Sequence, residues 1–377
     1  FFFVYCHGTA VTTCITVFGG DMVWEWHSLG VTSREELDLN STLTCGQSFR
    51  WKAVNTGEFI GVLGLFIVRL RQDDEGIFFA YHPCTVSKEE MFRLLHDYFQ
   101  LDVSLTRLYE HWKGGPSPTA IQEEFTAASA CIKGLRILRQ PPEECLFSFV
   151  CSQNNNIKRI AGMIEKLATN YGHFIAKVDN TKHYSFPSVA TLARAKEQKL
   201  RDLGFGYRAK YITAAARELV ARNSTAPEGN WLLSLRSESR TNSELINELT
   251  KLTGVGRKVA DCVALFSLDR TSLVPVDTHV WQMALRFMDG LDDKSTLTAK
   301  RYDSIYNFFV SSFGPYCGWA HSILFAAAIH RKELAFSMPK SQGTGKRKRS
   351  ASPAKPHVRA SKVPKKPVSP KVGSKNG

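Results

Sequence analysis

Nine cysteines occur, at 6, 14, 45, 84, 131, 145, 151, 262 and 317, and no two have the Cys-x-x-Cys spacing. That spacing is what zinc ribbons and thioredoxin-like redox sites need, so both are excluded. A four-cysteine iron–sulfur loop needs tightly grouped thiols, and these are missing too. An odd, scattered set fits reduced and mostly buried thiols in an intracellular protein. Basic residues are absent before Arg34. The apolar stretch from Phe1 to Gly20, interrupted by His7, Gly8 and threonines, therefore lacks the basic flank of a secretory signal and the arginines of a transit peptide. It is also too polar for a membrane span. Residues 1–21, ahead of the first methionine at Met22, are expected to lie outside the functional protein. Acidic residues are missing from 340–377, which hold 12 Lys+Arg. The net charge of +14 thus leaves only +2 for everything before that tail. A basic chain suits an anionic partner, but a tail alone does not identify one.

Within 377 residues, 43% are hydrophobic and 22% charged, values ordinary for a folded protein of two or three domains. From about Ser41 to Tyr81 the pattern is strand-like. Val62, Gly64, Phe66, Val68 and Leu70 alternate as one half-buried strand, bounded by turns at Asn55–Gly57 and Asp73–Gly76, and Ile77–Tyr81 follows. A small antiparallel sheet is expected. From about Ser87 helical spacing takes over. Ile157, Ile160, Ala161, Ile164 and Leu167 make one stripe, and Tyr211, Ala214, Ala215 and Leu219 another; two more are Leu245/Leu249/Leu252 and Val259/Cys262/Val263/Phe266. Past Ala335 apolar periodicity stops, and the composition predicts a disordered tail.

The densest chemistry lies in Leu252–Cys262. Glycines at 254 and 256 suit a tight turn between two helices, and the amides opening the second helix would attract a phosphate. A bare Gly-x-Gly is also what an ordinary helix–helix turn contains, and the P-loop order is absent. Lys258 sits in the first turn of that second helix, on one face with Cys262. Most lysines are solvated surface charges. One at a helix N-terminus beside Val259, Cys262 and Val263 would have the lowered pKa that an amine nucleophile needs. Nineteen residues on, Asp277 in Val274–His279 falls where the next helix needs its N-cap. Capping alone explains an Asp there, and a capping carboxylate can also face a developing cation.

Gly254-Val255-Gly256-x-Lys258-Val259-Ala260-Asp261 followed by Val274-Pro275-Val276-Asp277-x-His279 resembles the helix–hairpin–helix glycosylase superfamily with its Gly-Pro-Asp loop. More closely it resembles the eukaryotic 8-oxoguanine DNA glycosylase/AP lyases. Gly46–Trp51, Cys151–Ile157, Gly204–Arg208 and Gly318–Phe325 match further segments of that family in order, over roughly 26–332. The resemblance implies an α+β protein with an N-terminal antiparallel sheet domain at 26–130 and a mostly α-helical helix–hairpin–helix glycosylase domain at 131–335; the composition adds a leader at 1–25 outside the fold and a disordered basic tail at 336–377.

It also implies roles. Lys258 would attack C1′, expel the base and form a Schiff base, and Asp277 would stabilise the oxocarbenium-like state. Cys262 and Phe325 would sandwich the flipped purine. The Gly46 carbonyl would accept the N7 hydrogen that 8-oxoguanine has and guanine lacks. Asn154 and Arg159, helped by Arg208, would contact the estranged cytosine, Tyr207 would wedge into the duplex, and Gly254, Gly256 and His279 would lie near phosphates. Asn154–Asn156 also reads as a polar turn, Tyr207 as a core aromatic and Phe325 as part of a buried run.

His321 departs from the family, which usually has Gln there to read the Watson–Crick edge. Its imidazole should make lesion affinity depend on pH between about 5.5 and 8. The expected partner is duplex DNA containing 8-oxoguanine, bound by a monomer with no membrane and no cofactor. Lys346–Arg349 matches a nuclear import signal, so the nucleus is the expected location, with a mitochondrial share left open. Rival readings are a superfamily glycosylase for alkylated bases, mispaired adenine or oxidised pyrimidines, and a non-catalytic helix–hairpin–helix DNA binder. Lys258 opposes monofunctional glycosylases, and the binder needs neither Lys258 nor Asp277.

Overall fold

The computed structural model describes residues 23–226, 229–237, 239–291 and 296–337. Strands β1 (His27–Ser28), β2 (Lys52–Asn55), β3 (Glu58–Leu63), β4 (Phe66–Gln72) and β5 (Ile77–His82) form one antiparallel sheet in the order β1-β5-β4-β3-β2. The strand-like stretch begins later than its composition implies. Ser41–Thr44 belong to helix α1 (Leu39–Thr44), because the Asp38 carboxylate caps it by accepting from Ser41 N at 2.8 Å.

The alternation from Val62 to Leu70 is two strands rather than one. Gly64, at φ +60°, and Leu65 form a two-residue turn, with Leu63 paired to Phe66 and Glu58 to Arg71. The turn inverts the phase. Val62 therefore packs with Ile60 and Ile67 on one face, while Val68 and Leu70 face the main sheet core on the other. That core is completed by Met91 and Leu95 of helix α2 (Lys88–Tyr98), whose start is fixed by a Ser87/Glu90 capping box.

The leader boundary expected at 25/26 falls inside structured chain. Trp24 packs on the Ile60/Val62/Ile67 cluster with the Arg69 guanidinium 5.1 Å from its ring, and Arg71 lies 5.0 Å from the ring of Trp26. Residues 1–22 and 338–377, which hold most of the expected leader and tail, lie outside the described residues.

Helices then dominate: α3 (Leu105–Trp112), α4 (Ala120–Cys131), α5 (Pro142–Ser152) and α6 (Ile157–Tyr171). A hairpin of β6 (Phe174–Val178) and β7 (Thr181–Tyr184) interrupts them, inside a stretch read as helical. Its turn residues Asp179 and Asn180 both have positive φ, +46° and +60°, which short polar side chains tolerate. The series continues with α7 (Val189–Arg194), α8 (Glu197–Asp202), α9 (Arg208–Asn223), α10 (Trp231–Ser234) and α11 (Asn242–Thr250). It closes with α12 (Arg257–Ser267), α13 (Thr278–Phe287), α14 (Ala299–Phe313) and α15 (Cys317–Ser337).

One large apolar core joins these helices. Leu105, Trp112 and Phe125 of α3 and α4 belong to it rather than to the sheet core, although they precede position 130. In α9 the inward face is Ala209, Ile212, Ala215, Ala216 and Leu219; Tyr211 and Ala214 flank it.

Between the two cores runs the buried Arg136, 1% exposed. Its guanidinium donates to the carbonyls of Glu36, Phe99, Gln100 and Val103 and to the Glu36 carboxylate. The architecture is thus an N-terminal antiparallel sheet followed by a helical body. Among the described residues no helix is long and apolar enough to cross a membrane.

Candidate active site

The hairpin between α11 and α12 is clamped from outside. Glu218 of α9 accepts from Thr253 N at 2.9 Å and from Thr253 Oγ1 at 2.5 Å, and Gln153 Nε2 donates to the Gly254 carbonyl at 2.6 Å. Gly254 has φ +85°, and a Cβ there would lie 2.5 Å from Tyr211. No other residue fits both the dihedral and the space. Gly256 is the N-cap of α12 without a side-chain cap, so the helix opens with amides suited to an anion.

Lys258 follows in the first turn, half-buried, with Nζ 5.2 Å from the Phe149 ring centroid. Phe149 is itself stacked on Phe266 and met edge-on by Phe49. Cys262, one turn further, is 2% exposed. Burial pushes its thiol up to about 11, although the Lys258 ammonium beside it pulls the other way. It is therefore a neutral, polarizable surface rather than a nucleophile.

Asp277 caps α13, its Oδ1 accepting from His279 N at 2.8 Å and Val280 N at 3.0 Å. The capping expected from sequence is present and leaves the carboxylate rigid. Helix α15 supplies the far wall. It is seated by Gly318 N donating to Thr271 O at 3.0 Å and by the Cys317 thiol against Ser272 O at 2.9 Å. His321 and Phe325, one turn apart, then face the site, with rings 6.1 Å apart at 36°. Phe325 is half-buried and His279 meets it edge-on at 5.5 Å, so it is not part of the buried Ile323–Leu324 packing.

His321 is 5% exposed, and among the described residues neither ring nitrogen has a hydrogen-bond partner of good geometry. Burial pushes its pKa down to about 4; the Asp277 carboxylate opposes that shift, the Lys258 ammonium adds to it, and the Gly318 carbonyl opposes it weakly. Burial thus favours the neutral imidazole and opposes the titration near neutrality expected from its solution pKa. His321 thus stands near Lys258, Asp277 and Phe325, which brings two predicted base-binding side chains beside the predicted catalytic pair.

Gly46, at φ +88°, turns the chain beside Ile157. The adjoining Gln47 is 3% exposed and fully engaged. Its Nε2 donates to Thr42 O and Arg136 O at 2.9 and 2.8 Å, and its Oε1 accepts from Leu138 N at 3.0 Å. Gln140 Nε2 donates to its carbonyl at 2.8 Å. The Gly46 carbonyl is therefore carried on a rigid loop.

The predicted opposite-strand readers form a second group. Asn154 is exposed at φ +44°, Arg159 is exposed on α6, and Tyr207 is 45% exposed, not a core aromatic. Arg208, expected to help Asn154 and Arg159, is buried. It is 3% exposed and lies beneath the loop, donating to the Gln153 and Asn154 carbonyls while its guanidinium sits 4.7 Å from the Tyr207 ring. Tyr207 Oη also donates to the Gln153 carbonyl, at 3.2 Å. Gln153 thus ties this loop to the Gly254 hairpin, a link for which the sequence held no signal.

Asp261 and Tyr302 are further residues to which sequence reading gave no role. The Asp261 carboxylate is 1% exposed and accepts from Tyr302 Oη and, at 3.2 Å, from Arg257 Nε. Burial raises its pKa to about 6 against those two partners. The Arg257/Asp261 spacing of four was the available signal. Among the described residues no group of His, Cys, Asp and Glu is arranged to hold a metal, and the seven described cysteines are free.

A capless hairpin helix opening next to a half-buried lysine, opposite an aspartate locked at a helix N-terminus, defines the helix–hairpin–helix base-excision glycosylases. Residues 147–304 match the model of the HhH-GPD superfamily base excision DNA repair proteins, and 30–146 match that of the 8-oxoguanine DNA glycosylase N-terminal domain. The chain belongs to the 8-oxoguanine DNA glycosylase family, bifunctional N-glycosylase/DNA lyases. It is 38% identical to the N-glycosylase/DNA lyase OGG1 of Arabidopsis thaliana over 321 residues, 84% of each chain. It is 36% identical to the N-glycosylase/DNA lyase of Saccharomyces cerevisiae, over 79% of this chain and 85% of that protein. The Clostridium acetobutylicum 8-oxoguanine glycosylase/lyase, solved with duplex DNA containing cytosine opposite 8-oxoguanine, superposes with TM-score 0.67 at 27% identity, covering 79% of this chain and 93% of that one.

Proposed function

We propose that this enzyme excises 8-oxoguanine opposite cytosine by a lysine Schiff-base route. The observation that carries the reading is the gathering of Lys258, Asp277 and Phe325 about His321, with Cys262 beside Lys258 on the helix that opens at Gly256. The Lys258 amine, freed of a proton that the departing base takes up, forms the bond to C1′ as the glycosidic bond breaks and that bond's electrons leave with the base. Asp277 faces the positive charge that develops on the sugar. Ring opening then gives a protonated imine. Loss of a C2′ proton expels the 3′ phosphate, which is the β-elimination step.

Cys262 and Phe325 hold the flipped base between a sulfur and a ring, Gly46 O accepts the N7 hydrogen, and neutral His321 offers one donor and one acceptor to the base edge. Asn154 and Arg159 meet the orphaned cytosine on a loop that Arg208 supports from below, and Tyr207 fills the gap. His279 and the hairpin glycines grip phosphates. We further propose that it acts in the nucleus, on the strength of the Lys346–Arg349 run.

The test is borohydride trapping on a duplex with one 8-oxoguanine opposite cytosine. A covalent adduct with the wild type and none with Lys258→Gln, which should still bind the lesion, is the expected result. Trapping that persists in Lys258→Gln would move the nucleophile elsewhere. Trapping only on alkylated bases or on thymine glycol would change the substrate.

A further inference from the structure

We propose that Tyr302 is a positioning residue: its hydroxyl holds the helix that carries Lys258 and the loop that carries Asp277 in catalytic register. The inference rests on the roles just proposed for those two residues. Tyr302, on α14, is 6% exposed. Its hydroxyl accepts from Val276 N at 3.0 Å and donates its one proton to the Asp261 carboxylate. Asp261 stands three residues after Lys258 and immediately before Cys262 on α12, and Val276 immediately precedes Asp277. A single oxygen therefore joins the two segments that must hold an amine and a carboxylate on opposite sides of one sugar carbon.

The arrangement is directional. A phenol has one proton, and with that proton committed to a carboxylate only its lone pairs face the Val276 amide. Arg257 fixes the other end. Its Nε lies 3.2 Å from Asp261 Oδ1, its guanidinium stands 4.6 Å from the Tyr302 ring centroid, and it pairs with Asp303 at 3.5 Å. Neither Tyr302 nor Asp261 touches the reacting atoms. A buried carboxylate is weak evidence for stability, since its desolvation offsets much of the pairing. Alignment of the catalytic pair gives this network something that packing alone would not: catalysis falls steeply with misplacement of about 1 Å.

The test compares wild type, Tyr302→Phe and Asp261→Asn in three measurements. These are single-turnover excision of 8-oxoguanine opposite cytosine, strand cleavage at a preformed abasic site, and affinity for a duplex carrying a tetrahydrofuran abasic analogue. Tyr302→Phe keeps the ring and loses the bridge. Its excision rate should fall about 10- to 100-fold. Abasic-site cleavage, which needs the Lys258 amine but no departing base, should fall less than about tenfold, and affinity should stay within about twofold of wild type. Asp261→Asn can still accept the phenolic proton and should retain most of the excision rate.

Excision by Tyr302→Phe at the wild-type rate would overturn the inference. A parallel loss of excision, cleavage and affinity would also overturn it, because that is the signature of a merely structural tyrosine. Wild type that cleaves abasic sites and leaves 8-oxoguanine in place would instead refute the substrate reading, and this inference would fall with it.

Discussion

Replacing His321 by Gln reads the burial of the base-facing wall directly. In the unfolded chain an imidazole takes up a proton as the pH falls through about 6.5. In the folded protein His321 does so only near 4, because burial penalises the charged ring more than Asp277 rewards it. Its folded pKa is depressed. The contribution of this histidine to stability is therefore intact above the unfolded value and is lost as pH falls from about 6.5 towards 4.

A shift of this size corresponds to about 3 kcal/mol at full development, and to about 2 kcal/mol between pH 7.5 and pH 5. Gln does not titrate. Urea unfolding of both proteins at those two pH values should show the Gln variant gaining about 2 kcal/mol on wild type at the lower one. Near pH 7.5 the two should be close, since both side chains bring polar atoms without protein partners into the same space. Lesion affinity of the two proteins should run in parallel from about pH 5.5 to 8, where the imidazole stays neutral. Parallel unfolding profiles down to about pH 5 would refute the reasoning, because the ring would then titrate as if solvated.

Asp277→Asn keeps a capping acceptor for His279 N and Val280 N and should cost less than about 1 kcal/mol of stability while slowing excision severely; Asp277→Ala should lose about 1 kcal/mol more, read as the difference in urea midpoints. Gly254→Ala forces a Cβ against Tyr211 at positive φ and should cost about 1–3 kcal/mol, with weaker binding to undamaged duplex in fluorescence anisotropy. Deleting residues 340–377 removes 12 Lys+Arg, so the salt dependence of non-specific DNA binding should flatten while excision at low salt survives.

The elements that were legible in the sequence are those whose signals are local. The onset of helix near Ser87, the stripe of α6 and the Lys258/Cys262 face follow from spacing along the chain, and Asp277 as a cap follows from its place before Trp281 and Leu285. The misreadings came where a short signal was overridden. Val62–Leu70 keeps an alternating pattern through a two-residue turn, so its period could not show that the chain reverses at Gly64 and that Val62 changes face. The β6–β7 hairpin carried a turn signal at Asp179-Asn180, but its strands are short and partly exposed, with no strong alternation.

What was not legible in the site is tertiary in origin. Arg208 looks like any surface arginine in a Gly-Phe-Gly-Tyr-Arg segment. Only the packing of α9 under the Gln153–Asn154 loop shows that its Nη2 is used on two carbonyls. Removing it should therefore disturb Asn154 and Tyr207 together rather than delete one contact. His321 makes the same point about charge. Its sequence neighbours are apolar or small and contain no ionised group, so nothing local predicts a shifted pKa. The shift arises because α15 is seated against the 271–273 loop, which buries the ring among Phe309, Phe325 and the charges of Lys258 and Asp277. A motif assigns residue types to roles, but the protonation state in which a residue performs its role is decided by the wall it is packed into. For this enzyme that wall favours the neutral imidazole, a donor–acceptor closer in hydrogen-bonding capacity to an amide than the charged ring is.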